Sequence, residues 1–315
     1  MKPSTDFDRH ADAEEVESRG SFTLYSRADM SDPDPQGRDG PAIATRPGNP
    51  PYQAEALARV IETEVIPRLV LAKRGLDTPL PAEIPAALAP TDDDIVALTA
   101  LTRLGNIDTA VTFVEAFCAR GLPLEQVYLG LLAPAARLLG RGWEADTCDF
   151  TEVTIALRCL HGIAKALEPR FAPARARTRP DRRILLAAAP GEQHGFGLAL
   201  VDQFFRRAGW ATWLNHEADQ DALLAMVAEM HFGVIGFSLA GDTHIEALAE
   251  LIRLTRRASR NAAVGILVGG PLLIKQPELV GRLGADATAM DAEQAILQAE
   301  ALLVLQGRGE ERPPQ

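Results

Sequence analysis

Apolar positions change their spacing twice along this chain, and the changes mark off a polar tail, a helical stretch and a stretch where short apolar runs alternate with amphipathic ones. Residues 1–50 mix Asp, Glu, Ser, Pro and Gly with few aliphatics. Such a composition buries too little surface to offset the entropy of ordering, so a disordered acidic tail is expected. From Tyr52 the pattern becomes helical: Ala56, Leu57, Val60, Ile61, Val65, Ile66 and Leu69 recur at intervals of three and four. Pro67 should bend or locally break this helix, because it has no amide hydrogen and its ring crowds the carbonyl four residues back. Residues 79–90 read as a linker. Further helices are predicted over about 92–104, 107–120, 123–139 and 150–167, joined at Gly105-Asn106, at Gly121-Leu122 and through the segment around 140–149. Short joints of this kind make antiparallel neighbours, so 51–170 is expected to be a helical bundle.

Residues 171–181 are basic and proline-bearing, without apolar periodicity, and read as an interdomain linker. Beyond them strands are predicted at 184–188, 211–214, 233–237, 265–268 and 285–289, with helices centred on Val201, Leu224, Leu248, Val280 and Gln294. A regular βα order with right-handed crossovers makes a parallel, doubly wound sheet with helices on both faces. The fold class is therefore α/β, with a five-stranded Rossmann-like domain over 182–306 behind the bundle and a frayed tail at 307–315.

Composition narrows the function classes. The chain has 315 residues, 47% of them hydrophobic, enough for two cores. Its apolar runs fall far short of the roughly 20 residues that span a bilayer, and the first 50 residues do not resemble a signal peptide, so no membrane contact and a cytoplasmic location are expected. A net charge of -11 argues against a non-specific nucleic-acid surface, though not against binding a protein that itself binds DNA. Cys118, Cys148 and Cys159 are odd in number and lack metal-type spacing; they read as buried thiols.

The candidate chemistry lies in three loops after the first, third and fourth strands, which are neighbours in a sheet of flavodoxin-like order. The first is Pro190-Gly191-Glu192-Gln193-His194-Gly195-Phe196-Gly197, with an acid, a histidine and glycines between a strand and a helix. The second is Ser238-Leu239-Ala240-Gly241-Asp242, and the third is Gly269-Gly270-Pro271, whose paired glycines let the backbone approach a flat ligand. Taken singly, the first loop is equally a tight turn into a helix. It lacks both the G-x-G-x-x-G run and a Walker lysine. No Ser/His/Asp set, paired carboxylates or metal cluster emerges, which argues against an enzyme. His161 reads as a satisfied, partly buried histidine. His216 and His244 fall on the ligand side of the sheet, His231 on the opposite side and His10 in the tail.

The order acid-x-His-x-x-Gly, then Ser, then Gly-Gly resembles the cobalamin-binding domain of corrinoid enzymes and photoreceptors. The resemblance implies His194 as lower axial ligand of cobalt and Glu192 as the acceptor that orients its imidazole. Gly197 belongs to the same motif, and Ser238, Gly269 and Gly270 would line a slot for the nucleotide tail. Two residues depart from the pattern: Glu192 replaces the usual aspartate, and Ser238-Leu239-Ala240 replaces Ser-x-Leu. The second departure leaves room for haem, which has no tail. Trp143 would be either a cap over the ring or a core aromatic; the photoreceptors' Glu-His pair falls on Val153-Thr154.

The segments Val65–Leu69, Trp143–Thr154, Pro190–His194 and Phe204–Trp210 are similar to the photosynthesis anti-repressors of purple bacteria, the AerR/PpaA group. That resemblance, over residues 55–305, implies a cobalamin- or haem-binding regulator without turnover. Its partner would be a DNA-bound repressor of the CrtJ/PpsR type, and photopigment genes would be its target. A corrinoid carrier for methyl transfer has the same domain order.

Overall fold

The computed structural model describes residues 60–73, 76, 84–171, 182–192, 195–215 and 219–310, the last four without their side chains. The expected N-terminal tail, residues 311–315 and nearly all of the expected 171–181 linker lie outside the described residues, as do His10, Gln193, His194 and His216, whereas 307–310 of the expected C-terminal tail continue the last helix.

The helical part comprises α1 (Ile66–Ala72), α2 (Asp92–Arg103), α3 (Ile107–Ala119), α4 (Leu124–Val127), α5 (Ala133–Glu144) and α6 (Phe150–Phe171). Two π-helical turns interrupt it, Ile61–Val65 ahead of α1 and Tyr128–Leu132 ahead of α5. Both precede a proline at the start of the following helix, Pro67 and Pro134. The widened turn removes the clash that each ring would make with the carbonyl four residues back, so the chain continues after a local break. This accounts for Pro67 as expected; Pro134 splits the single helix foreseen over 123–139. That helix also runs further than expected, to Glu144, because Gly140 and Gly142 stay helical. A β-carbon on Gly142 would lie 2.8 Å from the Cys148 sulfur, so the glycine admits the returning loop. Asp146, at φ 53, ends the run.

The alternating part gives β1 (Arg183–Ala188), α7 (Phe196–Arg207), β2 (Ala211–Asn215), α8 (Gln220–Glu229), β3 (Val234–Ser238), α9 (Ile245–Ala258), β4 (Gly265–Gly269), α10 (Pro271–Lys275), α11 (Leu279–Leu283), β5 (Ala287–Ala289) and α12 (Ala292–Glu310). All four strand pairings are parallel, in the order β2-β1-β3-β4-β5, which bears out the doubly wound α/β class. The helix expected around Val280 is two short ones, parted at Pro277.

Strand alternation feeds two cores. Leu185, Ile235, Phe237, Ile266 and Val268 face Leu248, Ile252, Leu273 and Leu283 on one side. On the other, Ile184, Leu186 and Leu267 face Leu198 and Phe205 of α7 and Ala299 of α12. Helix α7 has a second apolar stripe, Phe196, Leu200 and Phe204, which enters the core of the bundle instead. There the Phe171 ring lies 4.9 Å from Phe204 and 4.5 Å from Tyr128, centroid to centroid. The buried Tyr128 hydroxyl donates to the Ala164 carbonyl at 3.0 Å, and burial raises its pKa so that it stays protonated. Arg207 stacks on Phe171, donates to its carbonyl at 2.6 Å and pairs with Glu125.

Because Phe204 belongs to the bundle core while its helix belongs to the sheet, Phe204→Ala is expected to cost about 3–5 kcal/mol. Circular dichroism and tryptophan fluorescence should then still report one denaturant transition, moved to lower concentration. Two separated transitions would contradict a shared core.

Candidate functional site

At the carboxyl edge of the sheet, Ala188, Ser238 and Gly269 stand side by side in register. The chain leaves β1 toward β2 on one side and β3 on the other, so the crevice between the β1 and β3 loops is the switch point where open α/β sheets bind ligands. Two bonds carry the ladder past the strands: the Ala189 amide donates to the Ser238 carbonyl and the Leu239 amide to the Gly269 carbonyl, each at 2.9 Å. Ser238 itself is half-buried at its strand tip.

The first loop turns at Pro190–Glu192. Gly191 takes φ 81, and the Glu192 amide donates to the Ala189 carbonyl at 2.9 Å. The Glu192 side chain is 8% exposed, and its Oε2 accepts the Ala240 amide at 2.9 Å, tying the first loop to the second. A carboxylate accepting a backbone N–H is a charge-assisted bond, stronger than a neutral one. The neighbouring His194 lies outside the described residues. Gly197, in the first turn of α7, faces open space, with no atom within 4 Å of an added β-carbon.

The Gly269-Gly270 pair has a different physical reason from the one expected. Gly270 takes φ 110, and a β-carbon there would lie 2.4 Å from the Leu239 carbonyl oxygen. Its glycine is therefore required by the crossing of two loops, with no ligand needed to explain it. A β-carbon on Gly269 would meet the Ala289 oxygen at 3.5 Å, an ordinary contact.

Helix α6 approaches this edge from the bundle. It runs parallel to α7, with Phe171 against Phe204 at one end and the His161 ring 5.0 Å from Phe196, edge-on, at the other. The residues of α6 before His161 extend past the start of α7, on the side of the strand tips, by about 16 Å at about 1.5 Å per residue. At the far end the Phe150 and Trp143 rings meet edge-on at 6.5 Å, 70% and 47% exposed. Trp143 is thus no core aromatic. The Thr154 hydroxyl is engaged, donating to the Phe150 carbonyl at 2.7 Å.

Three side chains, His161, Cys118 and Cys148, are more exposed than expected. His161 is exposed, since α6 buries the stripe Ala156, Cys159, Leu160 and Ile163 and His161 falls off it. Of the cysteines only Cys159 is buried, and burial pushes its thiol pKa up; Cys118 and Cys148 are half-buried. His244, at the end of a 3-10 turn (Asp242–His244), lies with its ring on Gly191, a contact between loops that sequence spacing does not signal.

Comparison with known proteins adds the family. Residues 182–299 match the B12 binding domain. This part of the chain is similar to cobalamin-binding domains. The B12 binding domain thus covers the sheet and all three loops. Two curated relatives match at 25% identity. One is an uncharacterized 20.5 kDa protein of the bchF-crtJ intergenic region of Rhodobacter capsulatus, over 58% of this chain and 94% of its own length. The other is dimethylamine corrinoid protein 1 of Methanosarcina mazei, over 58% and 83%. The first match is consistent with the AerR/PpaA-type resemblance. Among solved structures the monomethylamine corrinoid protein of Methanosarcina barkeri is similar in fold, with TM-score 0.56 and 18% identity over 67% of this chain and 99% of its own. These matches support cobalamin and give haem no support.

Among the described residues no group of three or more His, Cys, Asp or Glu side chains is placed to hold a metal ion. The described residues also include no helix long and apolar enough to cross a membrane.

Two substitutions check this geometry. Glu192→Ala removes the acceptor of the Ala240 amide and is expected to cost about 1–3 kcal/mol, while Glu192→Gln keeps an acceptor and should cost less. Gly270→Ala forces a left-handed alanine against the Leu239 carbonyl and should cost more than the roughly 1 kcal/mol of a helix glycine exchange. Urea denaturation reads both.

Proposed function

We propose that this protein is a cobalamin-binding, light-responsive transcriptional anti-repressor, acting in the cytoplasm through contact with a DNA-bound repressor of the CrtJ/PpsR type and without enzymatic turnover. The observation that supports it most is the tied crevice between the first and second loops, at the switch point of a B12 binding domain. The relative whose name places it beside crtJ favours the regulatory reading and photopigment genes as the target. In this reading residues 51–170 are the cap domain and 182–306 the cofactor domain.

Bound there, cobalamin would supply a light-sensitive cobalt centre. His194 is the proposed lower ligand, and Glu192, held by the Ala240 amide, limits how far the turn before it can move. Ser238 and the backbone at Gly269-Gly270 wall the nucleotide-tail slot, and Gly197 leaves space at the start of α7. Trp143 at the end of α5, with Phe150 at the start of α6, would cover the group from the bundle side.

A corrinoid carrier for methyl transfer is the second reading, favoured by the Methanosarcina mazei relative. The two differ in what the loaded protein does. Reconstituted with hydroxocobalamin, the wild type should bind it with a shifted absorption spectrum, and His194→Ala should lose that shift. The loaded protein, in light against dark, should weaken the grip of a CrtJ/PpsR-type repressor on its promoter in a mobility-shift assay. Unchanged repressor affinity in both conditions would rule out the anti-repressor reading, and methylation of the bound cobalamin by a corrinoid methyltransferase would establish the carrier.

A further inference from the structure

The turn before His194 is held at two points, and neither contact was expected from the sequence. Glu192 reaches the Ala240 amide, one residue beyond the strand-tip segment of the second loop. Gly191, next to it, carries the second contact: a β-carbon there would fall 2.9 Å from His244 Cε1 and 3.2 Å from Nδ1. The imidazole of His244 therefore rests on the bare α-carbon of a glycine whose φ of 81 already excludes most other residues.

His244 is well placed to hold that position. It ends the 3-10 turn and directly precedes α9, which is anchored through buried Ile245, Leu248 and Ile252. Its own ring is half-buried. A side chain fixed by the first turn of a packed helix makes a firm stop for the turn it rests on. The two contacts act on adjacent residues and come from the same loop, so they resist rotation of the turn as well as its displacement.

We propose that His244 is a positioning residue: with Glu192 it clamps the Pro190–Glu192 turn and so fixes the approach of the ligand that follows it. This rests on the reading of the site as cobalamin-binding. The clamp works through the flat ring on Gly191, so phenylalanine can replace histidine and a non-ring side chain cannot. Nothing in the cobalamin-domain pattern of acid, His, Ser and Gly-Gly includes this position.

The test uses the full chain and two readouts. In cofactor-free protein, His244→Ala should speed hydrogen exchange at the Glu192 amide by about tenfold or more, as for loss of a local restraint, and His244→Phe should leave it near the wild-type rate. Loaded with hydroxocobalamin, His244→Ala should retain the cofactor but with its spectrum displaced toward that of His194→Ala, while His244→Phe keeps the wild-type spectrum. A His244→Ala protein that melts like the wild type, with unchanged exchange and spectrum, overturns the inference. So does a His244→Phe protein that behaves like the alanine variant. Should His244→Ala not fold, His244→Leu takes its place, being apolar like phenylalanine but not flat. A difference from phenylalanine supports the clamp, and identity with it overturns the clamp. Wild-type protein that takes up no cobalamin refutes the reading of the site, while the exchange measurement still decides the clamp.

Discussion

The rest of this structure depends on the two-faced packing of α7. One stripe of that helix, Leu198 and Phe205, closes the sheet. The other, Phe196, Leu200 and Phe204, fills the bundle. A helix that contributes to two cores cannot leave either without exposing several aromatic and aliphatic side chains, each worth about 1.5–3 kcal/mol of burial. The helix begins immediately after the first loop of the candidate site. The entry to that loop is therefore set by β1, and its exit by a helix fixed on both sides.

The crevice itself is built with unequal stiffness. The Gly269-Gly270 side is locked by backbone against backbone, with the Leu239 carbonyl pressed on Gly270. The Pro190–Glu192 side is held by side chains, a carboxylate on the Ala240 amide and an imidazole on Gly191. Side-chain contacts yield more readily than main-chain crossings, so adjustment to a bound group falls on the first loop.

Much of this was legible in the chain. The spacing of apolar residues gave the five strands nearly to the residue, because each is a short apolar run bounded by turn residues, and β order gave the neighbouring loops. Helix ends were less legible. Gly140 and Gly142 look like loop residues until Cys148 is seen to need the space above Gly142, and Pro134 breaks a helix only by widening the turn before it. In the site, Glu192, Ser238 and the glycines stand out by type, but their partners do not. The Ala240 amide has no sequence signature, and His244 meets Gly191 only because the strand order makes the β1 and β3 loops neighbours. His161 is exposed because it falls just off the buried stripe of α6, where its ring meets Phe196 edge-on.

Helix α6 also joins two tasks in one rigid element. Its last residue, Phe171, sits in the aromatic cluster with Tyr128 and Phe204, and its first, Phe150, stands exposed beside Trp143. At about 1.5 Å per residue its 22 residues span about 33 Å. Such a helix is a lever with its fulcrum in the core: a tilt of a few degrees at the anchored end sweeps the aromatic tip by about 2 Å or more. Small repacking around Phe171 is thereby geared up into a larger displacement of the aromatic tip, and a push on the tip is geared down into pressure on a cluster that both halves of the protein share.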